Sequence, residues 1–312
     1  MNHQIGLLVL PTINNIEEII KGLSMPVLLT KGSYKMLEFR IKNNELSLIH
    51  NEVDIKNYEN IWLSSSWNTR DVAYAANLYL ERFNTPHTYV EKVTSKITDM
   101  VQFIINGITM PDTFFVDLPD ISRYVHTIEA ICGYPLIIKD IMGAAGANSL
   151  LIRNRDELLT KSRQLPKNSK FIYQKFIPND YDWGILVANG EVVSGERSYP
   201  AKGEFRNNCN GAEEHFTALA DIPVEIKNMA LKAHSLLGLS WSRSDIVIDR
   251  TNQKAYLMEV NRCPGISTGT AEVAGARCFL EEQIRSHMYE QGLGYINGED
   301  TKKEGTFVPS LI

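Results

Sequence analysis

The sequence predicts an α/β fold that also contains antiparallel hairpins, which are α+β elements. Short apolar runs alternate with segments whose apolar residues recur at helical spacing, a pattern typical of strands and helices that alternate along a chain. Polar turns such as Asn189-Gly190 join pairs of alternating runs and predict β-hairpins. With 312 residues, of which 44% are hydrophobic and 22% charged, the chain is long enough for two or three lobes with cores of their own.

The first predicted domain is an α/β lobe at residues 1–90. Its predicted strands are 5–10, 25–30, 36–41, 46–50, 61–64 and 86–90, and its predicted helices are 14–22 and 69–83. Ser64–Ser66 fits a turn at the end of a strand better than it fits a nucleophile. This lobe is therefore expected to carry no recognisable chemistry of its own.

The second predicted domain covers residues 91–296, and a polar tail follows at 297–312. Its predicted helices are 95–107, 118–132, 154–165, 223–237 and 270–291, and its predicted strands are 134–139, 150–153, 171–177, 184–188, 191–197, 244–249 and 256–261. In the first of these helices, the stripe expected to face the core contains Ile97, Met100, Val101 and Ile104.

A candidate nucleotide lid lies at about residues 118–176. Lys139 ends a strand, and a loop of small residues from Gly143 to Gly146 follows it, where no bulky side chain keeps a ligand from the backbone amides. The loop matches neither GxxxxGK[ST] nor GxGxxG, so the tip of a glycine-rich hairpin explains it about as well.

Composition narrows the class of protein. No apolar run approaches the roughly 20 residues that cross a bilayer, and the first residues lack the pattern of a signal peptide, so we expect a cytoplasmic protein without a membrane partner. A net charge of −5 argues against a nucleic-acid partner. The four cysteines lack metal-binding spacing and are expected to be reduced thiols. The expected assembly is a homo-oligomer.

Two alternating runs around Asn252 predict a hairpin with an acidic face. Centring the turn on Asn252 places Asp245 opposite Glu259 and Val247 opposite Leu257. Like charges in this position repel each other unless a cation lies between them or one carboxyl is protonated.

An amide joins this acidic pair, because Asn261 lies two residues beyond Glu259 on the same face. Oxygen ligands without a nearby His or Cys suit Mg²⁺ or Mn²⁺, so Asp245, Glu259 and Asn261 are candidate metal ligands. A solvated acidic hairpin face is the alternative, and these residues alone do not separate the two.

Two arginines, Arg197 and Arg206, lie close to the acidic hairpin in sequence. Guanidinium groups bind phosphate or carboxylate in bidentate fashion. The alternative is salt bridging to nearby glutamates, namely Glu191, Glu196 or Glu204.

Together these segments resemble the ATP-grasp superfamily, most closely its RimK-like branch of carboxylate-amine ligases. The resemblance runs from about Lys96 to the final helix. The matching segments, in order, are Ser95-Lys96 with Gly107–Thr113, Ile137–Lys139 with Gly143–Gly146, Gln174–Ile177, Asp182, Arg197, Phe205–Asn208, Asp245, Glu259–Asn261 and Pro264-Gly265. The resemblance implies an ATP-grasp fold with an N-terminal α/β lobe, a small lid and a C-terminal antiparallel sheet.

The resemblance also implies roles for individual residues. The implied ATP-binding residues are Lys96, Lys139, Gly143, Gly146, Gln174, Lys175, Ile177 and Asp182. The implied metal ligands are Asp245, Glu259 and Asn261, the catalytic residues Arg197 and Arg206, and the substrate residues Arg206, Asn208 and Arg262. The implied reaction is attack of a substrate carboxylate on the γ-phosphate of ATP, followed by interception of the acyl phosphate by an amine. The acceptor is an amino acid, a peptide or a protein terminus.

Three departures from the family pattern bear on the substrate. Lys175 replaces a glutamate of the hinge, Gly184 stands where the branch often has an arginine, and Arg262 fills a position that is usually small. The loss at Gly184 and the gain at Arg262 suggest that a carboxylate-binding guanidinium has moved. Two other functions compete with the ligase, namely a small-molecule kinase on the same fold and a module that binds ATP without turnover.

Overall fold

A computed structural model describes residues 4–92, 94–117, 121–143, 149–201 and 212–290. Its helices are α1 (Ile16–Lys21), α2 (Arg70–Arg82), α3 (Lys96–Ile105), α4 (Val125–Cys132), α5 (Arg155–Arg163), α6 (Val224–Leu236) and α7 (Ala271–Glu290). Its strands are β1 (Ile5–Leu10), β2 (Val27–Lys31), β3 (Leu37–Lys42), β4 (Glu45–His50), β5 (Val53–Asp54), β6 (Asn60–Leu63), β7 (Thr113–Phe115), β8 (Leu136–Asp140), β9 (Leu150–Ile152), β10 (Phe171–Lys175), β11 (Asp182–Ala188), β12 (Glu191–Tyr199), β13 (Glu213–Phe216), β14 (Trp241–Ile248) and β15 (Ala255–Asn261).

The N-terminal part contains two sheets. Strands β2, β1 and β6 form a parallel sheet in that order, and Ala76 of α2 lies in the same buried apolar cluster as Leu8 and Leu10 of the central strand. Strands β3, β4 and β5 form a separate antiparallel sheet, in which Asn43 and Asn44 turn the chain with φ of 54° and 64°. Asparagine tolerates this left-handed conformation, which a two-residue hairpin turn requires.

The middle of the chain forms a small antiparallel sheet in the order β7-β10-β8-β9. Ile128 of α4, Leu158 of α5 and Tyr173 of β10 belong to one buried apolar cluster. This sheet lies where the sequence predicts the lid, and β8 presents Lys139 at its carboxyl end.

The largest sheet is antiparallel, in the order β13-β12-β11-β14-β15, and has a helix on each face. Helix α6 packs on one face, where Ile226 contacts the cluster that contains Ile246. Helix α7 packs on the other, where the Phe279 ring lies 5.1 Å from that of Trp241 and 5.2 Å from that of Trp62 in β6. These aromatic contacts join the N-terminal sheet to the largest sheet.

Some predicted elements are wrong. The strand predicted at 86–90 is reduced to one bridge between Ile61 and His87, since Pro86 has no N–H to donate to a ladder. The described part of the helix predicted at 118–132 begins as a 3₁₀ turn at Ser122–Tyr124 and is α-helical only in α4. The short strands β5, β7 and β13 were not predicted.

The face that α3 buries also differs from the prediction. Val101 and Ile104 are 56% and 54% exposed, whereas Asp99 and Phe103 are buried. A buried carboxylate needs a partner, and Asp99 has one in Arg262. This ion pair rotates the helix away from the orientation that apolar spacing alone predicts. The boundaries of the predicted domains at 90/91 and 296/297 stay predictions.

Candidate active site

The hairpin of β14 and β15 holds Asp245 directly opposite Glu259, in the register expected from the sequence. The expected pairing of Val247 with Leu257 is wrong, because Val247 pairs with Tyr256 and Ile246 with Leu257. A bulge between Asp245 and Ile246 accounts for the difference, since it changes the pairing by one residue on its turn side.

Asp245 is the buried member of this carboxylate pair and is only 8% exposed. Its Oδ2 accepts a 3.1 Å hydrogen bond from Nδ2 of Asn261, and its Oδ1 is buried without a hydrogen-bond partner among the residues that the structure describes. Burial, and then repulsion by Glu259, raise the pKa of Asp245 well above its usual value. A buried carboxylate oxygen that lacks a partner and faces a second carboxylate fits a divalent cation.

The described residues contain no group of three His, Cys, Asp or Glu side chains placed to hold a metal ion. The candidate set consists of two carboxylates and the amide of Asn261, which is a donor set that Mg²⁺ accepts when phosphate oxygens and water complete its shell. Asp245, Glu259 and Asn261 are the side chains that would hold such an ion.

Lys96, the first residue of α3, reaches the same carboxylate pair. Its Nζ lies 3.2 Å from Oε2 of Glu259 and donates a 2.7 Å hydrogen bond to the carbonyl oxygen of Gly143. A capping box between Ser95 and Thr98 fixes the start of the helix that carries this lysine. Lys96 thus connects the metal candidates with the loop that follows β8.

Lys139 of β8 contributes a second cation. Its Nζ donates a 2.8 Å hydrogen bond to Oε1 of Gln174, and one cavity is lined by both lysines, Gln174, Glu259 and Trp67. Burial lowers the pKa of Lys139, and the negative charge of Glu259 opposes this shift. Two lysines and the Glu259 carboxylate therefore line one cavity, which takes in residues of the small sheet, α3 and β15. Asp245 lies next to this cavity, as the cross-strand partner of Glu259.

The predicted adenine hinge follows β10. The backbone N–H of Lys175 donates to the carbonyl oxygen of Asp112, while its exposed Nζ lies 3.5 Å from Oδ2 of Asp112. Ile177 is buried. Asp182 opens β11 and accepts a 2.7 Å hydrogen bond from Nδ2 of Asn179. The ATP contacts assigned to these residues stay predictions.

Arg197 lies on the other face of the largest sheet. It pairs with Trp183 and His215, whereas its neighbour Glu196 pairs with Gly184 on the face of Asp245. The Arg197 guanidinium lies 5.8 Å from the centre of the Trp183 ring. Its catalytic role stays a prediction. Three other predicted site residues, Gly146, Arg206 and Asn208, lie outside the described residues.

Arg243 was missed in the sequence, although alternation places it on the face of Asp245. It contacts Glu272, lies 3.3 Å from Oε1 of Glu196 and donates to the carbonyl oxygen of Gly265. A Cβ at Gly184 would lie 2.7 Å from Oε1 of Glu196, so the glycine leaves room for this carboxylate. The face that lacks an arginine at position 184 therefore carries one on the neighbouring strand, at 243.

We expect Gly184→Ala to lower stability by about 1–3 kcal/mol, because the new methyl group overlaps the buried Glu196 carboxylate. Urea unfolding monitored by circular dichroism measures this change. Gly190→Ala is the control for the loss of a glycine, since it lies in an open turn where only its φ of 79° opposes a side chain. Equal stability of Gly184→Ala and the parent would contradict the close approach of Glu196.

The ionisation of Glu196 should make the stability of the folded protein depend on pH. Burial raises the pKa of Glu196 from 4.5 to about 7, although Arg243 opposes this shift. The folded state therefore holds this proton more tightly, and its stability falls as the pH rises from 4.5 to 7. Glu196→Gln removes this loss, so we expect equal stabilities below pH 4.5 and a variant more stable by roughly 3 kcal/mol above pH 7. Unfolding midpoints across this pH range test the prediction, and a gap that does not change with pH would contradict it.

Arg262 does not occupy the substrate position that the sequence suggested. It is 4% exposed, and its guanidinium binds Glu91 and Asp99 together with the carbonyl oxygen of Val260. With its donors engaged in these bonds, Arg262 is not available to clamp a substrate carboxylate. The structure therefore places Arg262 in buried salt bridges and not in the substrate site to which the sequence assigned it.

Solved structures define the class of this fold. The ATP-grasp ligase PsnB, complexed with its minimal precursor, has a TM-score of 0.67 and 16% identity over 91% of this chain and 100% of its own. A D-alanine–D-alanine ligase from Bacillus anthracis complexed with ATP has a TM-score of 0.62 and 16% identity over 92% of this chain and 99% of its own. At these identities the likeness shows the fold, and the predicted ATP-grasp fold is confirmed.

Sequence comparison identifies the family within this class. Residues 93–275, more than half of the chain, match the RimK-like ATP-grasp domain. The chain belongs to the RimK-like ATP-grasp family. A protein from Halorhodospira halophila named as a probable alpha-L-glutamate ligase is 28% identical over 65% of this chain and 70% of its own length. The predicted family and the predicted class of enzyme, an ATP-dependent ligase that forms C–N bonds, are confirmed.

Across the ranges that the structure describes, no helix combines the length and the hydropathy needed to cross a membrane.

Proposed function

We propose that this chain uses ATP and Mg²⁺ to join a carboxylate to an amine through an acyl phosphate. The observation that carries the proposal is the convergence of Lys96 and Lys139 with the Asp245–Glu259 pair. Two cations suit the phosphates of a nucleotide, and two carboxylates suit the metal ion that accompanies it. A cavity lined by Lys96, Lys139 and Glu259, with Asp245 beside it, supports phosphoryl transfer better than it supports an acidic surface without function.

The bound nucleotide would lie between the small sheet and the largest sheet. Lys96 and Lys139 would neutralise its phosphates, the backbone near Lys175 and Ile177 would hold the adenine, and Asp182 would accept hydrogen bonds from the ribose. A bound Mg²⁺ would neutralise negative charge on the nucleotide phosphates. Asp245, Glu259 and Asn261 would hold and orient that ion.

In the first step, a carboxylate oxygen of the substrate attacks the γ-phosphorus, and the bond to the β-γ bridging oxygen breaks to release ADP. In the second step, the amine nitrogen attacks the acyl carbon, inorganic phosphate leaves, and the nitrogen loses a proton. The protein binds and orients the reactants, which needs no nucleophilic side chain. Arg197 and Arg206 stay the proposed catalytic residues, and Arg206 with Asn208 the proposed substrate residues.

The relatives support two kinds of acceptor. The curated relative is named as a glutamate ligase, and PsnB was crystallised with a precursor peptide. We propose an amino acid or a peptide as the amine substrate of this chain. The homo-oligomer and the cytoplasmic location stay predictions.

Phosphate release with ATP and Mg²⁺, measured against pooled amino acids and peptides and followed by product mass, tests the proposal. A product heavier by condensation of two pool members supports the ligase. A product that has gained a phosphate would replace it with the kinase. Binding of ATP without phosphate release from any pool would favour a binding module.

A further inference from the structure

A buried ionic cluster lies directly beyond the end of β15 and centres on Arg262. Its Nη1 and Nη2 bind the two carboxylate oxygens of Asp99 at 2.6 and 3.1 Å, and its Nε binds Oε1 of Glu91 at 2.7 Å. Nη1 also donates to the carbonyl oxygen of Val260 at 2.9 Å, so the side chain folds back on its own strand. Arg262 therefore fixes the end of β15 relative to α3.

A second arginine completes the cluster from the N-terminal part of the chain. Nη2 of Arg70 lies 3.8 Å from Oδ2 of Asp99, and Nη1 lies 4.0 Å from Oε1 of Glu91. The Arg70 guanidinium stacks on the ring of Trp67 at 3.6 Å. Two arginines and two carboxylates thus balance in charge, which a buried ionic cluster requires. The cluster joins four parts of the chain, namely α2, the segment after α2, α3 and β15.

The partner of Arg262 on α3 follows Lys96 by three residues. Residues at this spacing lie on the same side of a helix, one turn apart. The Arg262–Asp99 pair therefore holds the first turn of α3, which carries Lys96. It also holds the residue next to Asn261, on the strand that carries Glu259.

We infer that Arg262 is a positioning residue that sets the distance between Lys96 and Glu259, and through it the affinity for the nucleotide. This inference rests on the proposed function of the site. Both side chains must face the phosphates at a fixed separation, because the lysine meets phosphate oxygens and the carboxylate meets the metal ion. A bidentate guanidinium fixes both distance and angle, whereas an ammonium on a flexible stem fixes neither.

The inference predicts a specific change in kinetics. Arg262→Lys and Arg262→Gln should weaken the binding of a non-hydrolysable ATP analogue with Mg²⁺ at least tenfold, since a small displacement of catalytic groups has effects of this size. The KM for ATP should rise by the same factor, while the KM for the carboxylate co-substrate stays within twofold. A rise in the KM for the carboxylate alone would return Arg262 to the substrate site and overturn the inference.

Removing one partner of a buried pair leaves an uncompensated charge, so a single variant can fail to fold. Arg262→Gln combined with Asp99→Asn removes one positive and one negative charge and leaves Arg70 with Glu91. The double variant should fold, as judged by circular dichroism, and should still bind the analogue at least tenfold more weakly. Parent-like affinity in the folded double variant would overturn the inference.

Double-mutant analysis with Lys96 separates positioning from general stability. If Arg262 acts through Lys96, then Arg262→Gln should weaken analogue binding no further in a Lys96→Met background. If the two substitutions weaken analogue binding independently, so that their effects add, Arg262 does not act through Lys96. Arg277→Gln is the matched control, because Arg277 also joins two parts of the fold, by donating to the carbonyl oxygens of Glu18 and Ile19. This variant should bind the analogue like the parent.

Calorimetry of the parent protein with the same analogue and Mg²⁺ distinguishes a failure of the proposed function from a failure of the inference about Arg262. A parent that does not bind the analogue would refute the proposed function, and the inference with it. A parent that binds while the folded Arg262 variants bind equally well would refute the inference alone.

Discussion

Replacing Glu259 with glutamine should lower the rate of phosphate release by a factor of at least 10², while the protein stays folded. The variant keeps the shape of the side chain but loses the charge that, with Asp245, would hold the metal ion. The ion is expected to stabilise the charge that develops on the transferred phosphoryl group, which is worth several kcal/mol. Steady-state phosphate release at fixed Mg²⁺ measures the loss.

The fold should tolerate this change because two effects oppose each other. Glutamine relieves the repulsion between Glu259 and Asp245 but also loses the ion pair with Lys96. We expect a shift of no more than a few degrees in Tm, which corresponds to about 1 kcal/mol in a protein of this size. Glu38→Gln is the control, since Glu38 forms an exposed ion pair with Arg40 in β3. If Glu259→Gln releases phosphate at the rate of the parent, Glu259 is not a ligand of the metal ion.

The second large effect is expected from Lys139→Met, which should weaken ATP binding by 10- to 150-fold. This range corresponds to the roughly 1.5–3 kcal/mol of a hydrogen bond to a charged group. Calorimetric titration with a non-hydrolysable ATP analogue measures the loss. Lys170→Met is a matched control, because Lys170 makes an exposed ion pair with Asp117 near the same small sheet.

Lys139→Met should also stabilise the nucleotide-free protein. Burial lowers the pKa of Lys139, so the charged lysine destabilises the folded state at every pH below its folded pKa. This penalty fades as the pH rises from the folded pKa towards the unfolded value near 10.4. The gain from the variant should therefore be largest near neutral pH and shrink in alkaline buffer. Tighter nucleotide binding by the variant, or a stability gain that grows with pH, would contradict this account of Lys139.

The pairing of the two candidate carboxylates could be predicted from the sequence because it follows from a short-range pattern. Alternation on a hairpin places Asp245 opposite Glu259 regardless of the rest of the fold. The same alternation places Arg243 on that face, two residues before Asp245, so the sequence contains the signal for this arginine as well. Ordered motifs from Lys96 onwards were sufficient to predict the family.

The contacts of Arg262 could not be predicted in this way. Its partners Glu91 and Asp99 lie 171 and 163 residues away in sequence, and no local pattern relates them. The same contact explains the error in α3, where helical spacing favoured an apolar face and the structure buries Asp99. Long-range ion pairs override periodicity, because a buried carboxylate must have its partner whatever the spacing of its neighbours.

The bulge between Asp245 and Ile246 determines which face of the sheet each side chain of β15 occupies. On its turn side Leu257 enters the apolar core opposite Ile246, and beyond it Glu259 meets Asp245. Met258 is the extra residue, which has no partner of its own between these two pairs. In a regular ladder of the same length, Leu257 would pair with Val247 and share the face of Glu259, because side chains two residues apart on a strand point the same way. The bulge therefore turns Leu257 into the core while Glu259 keeps its place opposite Asp245, so one strand lines both the apolar core and the carboxylate pair.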